Sequence, residues 1–217
     1  MVLKLNAPGP ESEHEGNALA AWDGRGAVRL LAQDRGRRAL LLEAVVPGDP
    51  AMGAEAREAL LGVLPVLWRP LRPGHPFRAL TAEAARWTEE IPAAWERFGR
   101  PFERTLVDRA VELLRELTPW GGEPVLLHGD LHGGNVLRGP TDWVAIDPKP
   151  LVGEPAFDLS AGVRNEQLAI RDAARLGLDP ERVRGWALAH ALAWGWSAEG
   201  WDENHVALAR ELAAGGG

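Results

Sequence analysis

The 217-residue sequence contains neither cysteine nor tyrosine. The absence of cysteine excludes disulfides, thiolate metal sites and a cysteine nucleophile, and it fits a reducing compartment. No apolar run approaches the ~20 residues that a membrane-spanning helix needs. The first residues, MVLKLNAPGP, lack the basic segment and the long apolar core of a signal peptide. We therefore predict a cytoplasmic protein that has no membrane partner.

Positive charge is also in deficit, and the net charge is −7. This charge argues against binding to nucleic-acid backbones as the main task. Acidic and basic side chains balance over residues 1–48, so the net negative charge lies after residue 48. An acidic region favours a cationic small-molecule partner, although solubility alone would also explain it.

Apolar periodicity predicts an α+β fold with two lobes. The small lobe, residues 1–48, has predicted strands at 2–5, 27–32 and 39–45 and a helix at 10–22. The breaker cluster Pro47-Gly48-Asp49-Pro50 marks the boundary. The larger lobe, residues 49–217, is mainly helical, with predicted helices at 53–68, 80–98, 102–117, 156–176, 180–197 and 202–214. A compact unit of short strands and loops interrupts these helices at 124–147.

The segment at 125–147, VLLHGDLHGGNVLRGPTDWVAID, carries the strongest chemical pattern. His128, Asp130 and Asn135 follow a short apolar strand at the spacing of the kinase catalytic loop, H-R-D-L-x-x-x-N. Asp147 ends the next strand. Phosphoryl transfer needs a carboxylate that orients a hydroxyl and takes its proton, and it needs oxygen ligands for Mg²⁺. Asp130 suits the first task, and Asn135 and Asp147 suit the second.

The stretch HGDLHGGNVL, followed by AIDPKPLVGEPAFDLSAGVRN, resembles the aminoglycoside phosphotransferase family. The IDPK-LVGEPAFDL part is similar to its streptomycin 6-kinase and hydroxyurea phosphotransferase branch. The resemblance implies a protein-kinase-like fold and an ATP- and Mg²⁺-dependent kinase that phosphorylates a hydroxyl of a small molecule. It implies that Asp130 is the catalytic base and that Asn135 and Asp147 bind Mg²⁺.

The resemblance also implies supporting roles around the catalytic loop. Asp158 would hold the loop by accepting backbone N–H bonds, and His128 would be structural. Lys149 is typical of this branch and would reach phosphate or the acceptor.

The same resemblance assigns roles in the small lobe. Lys4, on the strand VLKL, would contact the α- and β-phosphates, and Glu15 on the following helix would pair with it. The fallback choices for Glu15 are Glu11 and Glu13. Glu43, in ALLLE, would mark the hinge, where backbone groups of residues 43–45 meet adenine.

One part of the family pattern is missing from this sequence. Two strands and a phosphate-covering glycine-rich loop should precede the lysine strand, but nothing precedes Val2 except Met1. We expect a reduced small sheet with an exposed edge that permits a homodimer. We also expect weak ATP binding and low or absent turnover, unless the natural protein begins further upstream.

Acceptor residues are expected on the later helices. Glu199, Asp202 and Glu203 form an acidic group that would bind ammonium or guanidinium groups, or else belong to a solvated loop. Trp186, His190 and Trp194 lie four residues apart, either as core or as an aromatic wall for the substrate.

Two other functions compete with a kinase. A catalytically impaired, pseudokinase-like remnant would explain the missing phosphate loop. A metallohydrolase would explain the alternation of His128, Asp130 and His132 along the chain.

Overall fold

The computed structural model describes residues 1–215 and confirms the mixed helix-and-sheet architecture. The chain divides into two compact units. One unit comprises residues 1–78 and 124–152, and the other comprises residues 79–123 and the chain from residue 153 onward. Residues 47–50 lie inside the first unit, and the lobe boundary at residue 48 stays a prediction.

The regular elements follow one another along the chain. In order they are β1 (Val2–Leu5), α1 (Glu15–Trp22), β2 (Leu30–Asp34), β3 (Ala39–Leu42), α2 (Ala54–Leu67), β4 (Arg69–Pro70), β5 (Arg78–Ala79), α3 (Leu80–Arg97), α4 (Arg104–Leu117), β6 (Val125–Leu127), β7 (Val136–Arg138), β8 (Trp143–Ala145), β9 (Leu151–Gly153), α5 (Ser160–Arg164), α6 (Pro180–Ala193), β10 (Trp196–Ser197), β11 (Gly200–Trp201) and α7 (Glu203–Ala213). Short 3₁₀ segments occupy Gly133–Asn135, Pro155–Leu159 and Ile170–Leu176.

The first unit begins with an antiparallel sheet of order β1-β3-β2. The apolar run ALLL forms its central strand, with Leu40 and Leu42 buried. Lys4 on β1 stands opposite Leu40 in the register. Strand β1 therefore forms one edge of this sheet and carries Lys4 on it.

Two predicted elements of the first unit begin later than expected. The strand predicted at 27–32 starts at Leu30, because the backbone just before it pairs with β8 instead. The Val28 N–H donates to the Ala145 carbonyl at 2.9 Å, and the Ala145 N–H donates to Gly26 at 2.8 Å. The helix predicted at 10–22 starts at Glu15, because turns occupy the residues that follow Pro10.

In the second unit, the prediction of a single helix at 156–176 is wrong. The segment consists of a 3₁₀ turn, the short helix α5 and a second 3₁₀ stretch. Asn165 ends α5, and its side-chain amide donates to the Ala161 carbonyl at 2.8 Å. Asp172 then accepts the Ala169 N–H at 2.9 Å, which starts a new turn. Asn and Asp side chains favour such local breaks because they compete with the helical backbone for hydrogen bonds.

The core of the second unit is aromatic. Trp186 is buried and donates its indole N–H to Glu154 at 2.9 Å, and Glu154 also pairs with Arg182. The hydrogen bonds that Arg182 donates to the Glu154 carboxylate raise the pKa of Arg182. The buried His190 ring lies 5.5 Å from the Phe157 ring. Trp186 and His190 therefore belong to the core, as one of the two sequence interpretations held.

Helix α6 ends at Ala193, before the predicted end at residue 197. Trp196–Ser197 instead pairs with Gly200–Trp201 as a small hairpin before α7. Within residues 1–215, none of the helices is both long enough and apolar enough to cross a bilayer.

Candidate active site

The catalytic-loop segment lies in the first unit, between β6 and β7. Strand β6 is buried at Leu126 and Leu127, so it fixes the point at which the polar loop begins. The 3₁₀ turn Gly133–Asn135 leads into β7, and β7 pairs antiparallel with β8. The β8 strand then delivers the chain to Asp147. The motif residues therefore all lie on one short strand-loop-strand segment within the first unit.

His128 connects the beginning of the catalytic loop to the end of the strand-loop-strand segment. Its Nε2 lies 3.0 Å from the Ile146 carbonyl oxygen and donates to it, while its Nδ1 accepts the Asp130 N–H at 3.3 Å. Complete burial lowers the pKa of His128 to about 3. The ring is therefore neutral near pH 7, with both nitrogens engaged by the backbone. This arrangement supports the predicted structural role of His128.

Asn135 connects the loop to Asp130 and to Ile146. Its side-chain N–H donates to the Asp130 carbonyl at 2.9 Å, and its own carbonyl accepts the Ile146 N–H at 2.9 Å. Because the amide nitrogen faces the loop backbone, the side-chain oxygen is the atom that would bind a metal. Asp130 itself is only 8% exposed.

Gly129 allows the loop to approach the segment after Asp147. Its φ is +84°, and an added Cβ would lie 2.1 Å from the Lys149 carbonyl oxygen. The Lys149 N–H donates to the His128 carbonyl at 2.8 Å. A side chain at position 129 would therefore break the contact between the two halves of the site.

Asp147 stands at the centre of a charged cluster. Lys4 donates both to Asp147 and to Glu15, with Lys4 Nζ 2.7 Å from Glu15 Oε1. Lys149 Nζ lies 2.8 Å from the same Asp147 oxygen that accepts from Lys4. Two ammonium groups and two carboxylates thus meet within hydrogen-bonding distance.

The environment keeps Asp147 ionised. Partial burial raises its pKa, but the hydrogen bonds from Lys149 and Lys4 outweigh burial and hold the pKa below its usual value. Its φ of +57° is rare for a residue that has a side chain. Such strained backbone is typical of functional positions.

The Lys4–Glu15 ion pair is thus present in the structure, although the roles of both residues in nucleotide binding stay predictions. Neither Glu11 nor Glu13 takes the place of Glu15. Sequence reasoning missed Asn6, whose side-chain N–H donates to Glu15 Oε2 at 2.7 Å. Alternation along an extended chain was the available signal, because it places residues 4 and 6 on one side.

Glu43 continues the pairing of β3 beyond Leu42. Its N–H donates to the Arg29 carbonyl at 3.0 Å, and its carboxylate accepts the Arg29 N–H at 2.9 Å. Both groups are therefore engaged with Arg29. Adenine contact by residues 43–45 stays a prediction.

The remaining predicted residues lie in the second unit. Asp158 is 2% exposed in the 3₁₀ segment Pro155–Leu159, and its support of the loop stays a prediction. Glu199, Asp202 and Glu203 are exposed. Asp202 caps α7 by accepting the Asn204 N–H at 2.8 Å.

A cavity of about 440 Å³ lies beside this acidic group in the second unit. Its lining includes the aromatic side chains of Trp194, Trp196 and Trp201, together with Glu199 and Asp202. Glu203 is not part of the lining.

The donor set fits Mg²⁺. One carboxylate and one amide oxygen are hard ligands, and protein Mg²⁺ sites use one or two carboxylates completed by phosphate and water. Among the described residues, no group of three or more His, Asp and Glu side chains is placed to hold a metal ion.

Solved structures of similar fold are protein-kinase-like enzymes. Choline kinase LicA from Streptococcus pneumoniae superposes with a TM-score of 0.70 at 15% identity, over 98% of this chain and 84% of that one. Aminoglycoside phosphotransferase APH(4)-Ia, solved with AMP-PNP and hygromycin B, gives a TM-score of 0.64 at 12% identity, over 98% and 82%. These likenesses confirm the predicted fold class.

Sequence comparison narrows the class to a family. The chain belongs to the aminoglycoside/hydroxyurea antibiotic resistance kinases, whose family model matches residues 1–203. Hydroxyurea phosphotransferase of Kitasatospora aureofaciens is 39% identical over an alignment of 204 positions, which covers 88% of this chain and 60% of that protein. Streptomycin 6-kinase of Streptomyces glaucescens is 35% identical over an alignment of 212 positions, which covers 88% of this chain and 68% of that protein. The chain thus spans between three fifths and about two thirds of the length of these relatives.

Proposed function

We propose that this protein is a kinase that transfers the γ-phosphoryl group of ATP to a hydroxyl of a small, cationic molecule. An aminoglycoside such as streptomycin is the first candidate acceptor. The observation that carries the proposal is that hydrogen bonds join Asn135 to the Asp130 carbonyl and to Ile146, the residue before Asp147, and that Lys4, paired with Glu15, donates to Asp147. A cytoplasmic location, where ATP is available, is part of this proposal.

Each side chain has a defined task in this reaction. The Asp130 carboxylate orients the acceptor hydroxyl and takes its proton as the oxygen attacks the γ-phosphorus. The bond from phosphorus to the β,γ-bridging oxygen breaks, and ADP leaves with those electrons. The Lys4 ammonium binds phosphate oxygens and is oriented by Glu15. Asn135 and Asp147 would hold Mg²⁺, which neutralises negative charge on the phosphates.

The neutral His128 ring serves this mechanism through position alone. Its two hydrogen bonds hold the backbone at Asp130 and at Ile146 in fixed relation. Since Asp147 follows Ile146, the proposed base and the proposed metal ligand keep their spacing while substrates exchange. Such preorganisation lowers the reorganisation needed during the reaction.

The cavity in the second unit supports a cationic acceptor. Aromatic rings and carboxylates together bind ammonium and guanidinium groups. Arginine guanidinium groups already lie on two of these rings, 5.2 Å from the Trp194 ring for Arg164 and 4.8 Å from the Trp196 ring for Arg97, so the carboxylates would supply most of the attraction for a cationic acceptor. Glu199 and Asp202 would add negative charge at the rim. Lys149 stays a second candidate for acceptor contact.

Substitution of Asp130 by Asn tests the proposal. We expect Asp130→Asn to lower phosphoryl transfer at least ~100-fold, because a general base contributes on that order, while Mg-ATP affinity measured by calorimetry changes little. Streptomycin and hydroxyurea are the first acceptors to compare in a transfer assay. The matched control is Asp142→Asn, an exposed aspartate in the β7–β8 turn, which should keep wild-type activity.

Full transfer by Asp130→Asn would refute the assigned base. A folded wild-type protein that shows no Mg-dependent ATP binding, with Asp147→Ala as the reference, would reject the kinase proposal and support the pseudokinase-like alternative.

A further inference from the structure

Lysine is almost absent from the chain, and its two occurrences meet at one atom. Of the 24 lysine and arginine residues, only Lys4 and Lys149 are lysine. Both donate to the same carboxylate oxygen of Asp147. Everywhere else the chain uses arginine for its basic side chains. The two ammonium side chains of the sequence therefore converge on Asp147, and the pair with Glu15 accounts for Lys4 alone.

The backbone of Lys149 is fixed on every side. Buried prolines precede and follow it at 148 and 150, its N–H is bonded to the His128 carbonyl, and its own carbonyl lies against Gly129. The side chain is 20% exposed. Movement at this position is therefore confined to the four-carbon stem and its ammonium group.

An ammonium group and a guanidinium group differ in how firmly they hold a carboxylate in one geometry. A guanidinium binds a carboxylate through two parallel hydrogen bonds and holds it in one geometry. An ammonium is a compact charge on a flexible stem, with three donors that can be redirected. Lysine therefore allows a carboxylate to be neutralised now and released later.

Charge balance indicates when this release occurs. Lys4, Lys149, Glu15 and Asp147 together are neutral when each is ionised. A divalent cation on Asp147 would face two ammonium groups that already contact that carboxylate, and like charges at such short range repel. The triphosphate that arrives with the metal ion offers negative oxygens to the displaced ammonium.

We propose that Lys149 is a movable counter-ion of the metal site, which neutralises Asp147 in the free protein and transfers its ammonium to phosphate oxygens when a Mg-nucleotide binds. This inference rests on the proposed function, because it takes Asp147 as a metal ligand. Lys149 is then a nucleotide-binding residue that also competes with metal in the absence of nucleotide.

The substitution Lys149→Met should change two affinities in opposite directions, and each change tests one half of the proposal. It removes the charge and keeps an unbranched stem. Without nucleotide, Mn²⁺ followed by EPR should bind at least about threefold more tightly, because its competitor is gone. With Mg²⁺ present, the nonhydrolysable analogue AMP-PNP should bind about tenfold more weakly by calorimetry, since one charge-assisted hydrogen bond is lost.

Two further variants separate this mechanism from simpler ones. Arg37→Met removes one positive charge from an exposed turn of the same unit, and both affinities should stay at the wild-type values. Lys149→Arg keeps the charge but should bind Mn²⁺ no better than wild type and should not restore AMP-PNP affinity. Loss of both affinities in Lys149→Met would mean that Lys149 only holds Asp147 in place, and it would overturn the proposal. Equal changes in Arg37→Met would do the same.

The movement of Lys149 can also be followed in the wild-type chain, with the variants used only to assign signals. Protein labelled with ¹³C-lysine has only two side-chain εCH₂ signals, and disappearance of one in Lys149→Met or Lys149→Arg assigns them. The Lys149 signal should shift when AMP-PNP is added with Mg²⁺. A Lys149 signal that does not respond to the bound Mg-nucleotide would refute the movement.

Failure of this inference is distinguishable from failure of the proposed function. Wild-type binding of Mg-AMP-PNP, lost in Asp147→Ala, decides the proposed function by itself. If that binding exists and Lys149→Met matches wild type, only the counter-ion proposal is wrong. If wild type binds no Mg-nucleotide, both proposals are wrong.

Discussion

At the scale of single residues, buried histidines serve as uncharged structural parts in both units. His128 is wholly buried between backbone groups of the catalytic loop, and His190 is wholly buried in the aromatic core of the second unit. In both cases burial lowers the pKa, to about 3 for His128 and well below the usual value for His190. Each ring therefore stays neutral in the folded protein at pH values at which it is protonated in the unfolded chain.

The sign of the resulting pH dependence follows from proton uptake. Below the unfolded pKa of 6.5, the unfolded chain gains a proton on His128 and the folded chain does not. Stability is therefore lost as pH falls from 6.5 towards 3, by about 1.4 kcal/mol per pH unit for one such histidine. We expect the free energy of unfolding to drop by about 2 kcal/mol between pH 7 and pH 5 from His128 alone, with a further loss from His190.

The variant His190→Phe tests this account away from the proposed active site. Phenylalanine fills the same aromatic cluster and cannot be protonated, so the fall in stability between pH 7 and pH 5 should become smaller. Urea unfolding at the two pH values measures the difference. His75→Asn, at an exposed position, should keep the wild-type fall. A variant His190→Phe that shows the full wild-type fall would contradict this interpretation.

At the scale of elements, the catalytic loop depends on a close approach between two chain segments. Gly129 and the Lys149 carbonyl would collide if position 129 carried a Cβ. Elements that meet through backbone contact tolerate few side chains, because neither backbone can move without losing hydrogen bonds. The loop and the segment after β8 therefore fold as one piece.

Substitution of Gly129 by Ala should be far more costly than a glycine substitution at an open turn. Gly74 is the matched control, because it has the same φ of +84° and an added Cβ there meets no atom within 4 Å in the described part of the chain. We expect Gly74→Ala to lose about 1–2 kcal/mol from its left-handed backbone alone. Gly129→Ala should lose about 1–3 kcal/mol more from the clash, together with phosphoryl transfer. Equal unfolding free energies for the two variants in urea titrations would disprove the close approach.

Local patterns in the sequence predicted the elements that depend on neighbouring residues. The catalytic loop is a short-range motif, so His128, Asp130 and Asn135 were identifiable from spacing. Lys4 and Glu15 were implied by the family resemblance, which the order of strand and helix matched. Contacts between residues that are far apart in the sequence could not be predicted. No local pattern indicates that Lys4 and Lys149 contact the same oxygen of Asp147. The break at Asn165 was missed because apolar periodicity continues through it while the side chain bonds to Ala161.

At the scale of the whole molecule, the edge strand β1 carries both a residue of the charged cluster and exposed apolar side chains. Lys4 belongs to the charged cluster, while Leu3 and Leu5 are 66% and 69% exposed. Exposed apolar side chains on a sheet edge favour pairing with another chain. The homodimer expected from the sequence thus stays a prediction, now with a defined apolar surface.

Association through this edge can be tested by introducing charge there. We expect wild-type protein to show a concentration-dependent dimer in analytical ultracentrifugation. The double variant Leu3→Glu, Leu5→Glu should remain monomeric, because paired edges would bring like charges together. Leu31→Glu, on the opposite edge strand β2, is the control and should still dimerise. A dimer that survives the double variant but not Leu31→Glu would place the contact on the other edge.

The convergence of both lysines on Asp147 also limits how this protein can be handled. Apart from the α-amino group of Met1, Lys4 and Lys149 hold the only primary amines of the chain. Reagents that elsewhere decorate a surface at random, such as succinimidyl esters or aldehydes, would here react at the proposed phosphate site. Coupling to an amine-reactive sensor surface would therefore attach the protein either through the exposed Met1 or through that site, and attachment through the site would block phosphate binding. Conversely, protection of these two amines by nucleotide would give a direct footprint of occupancy.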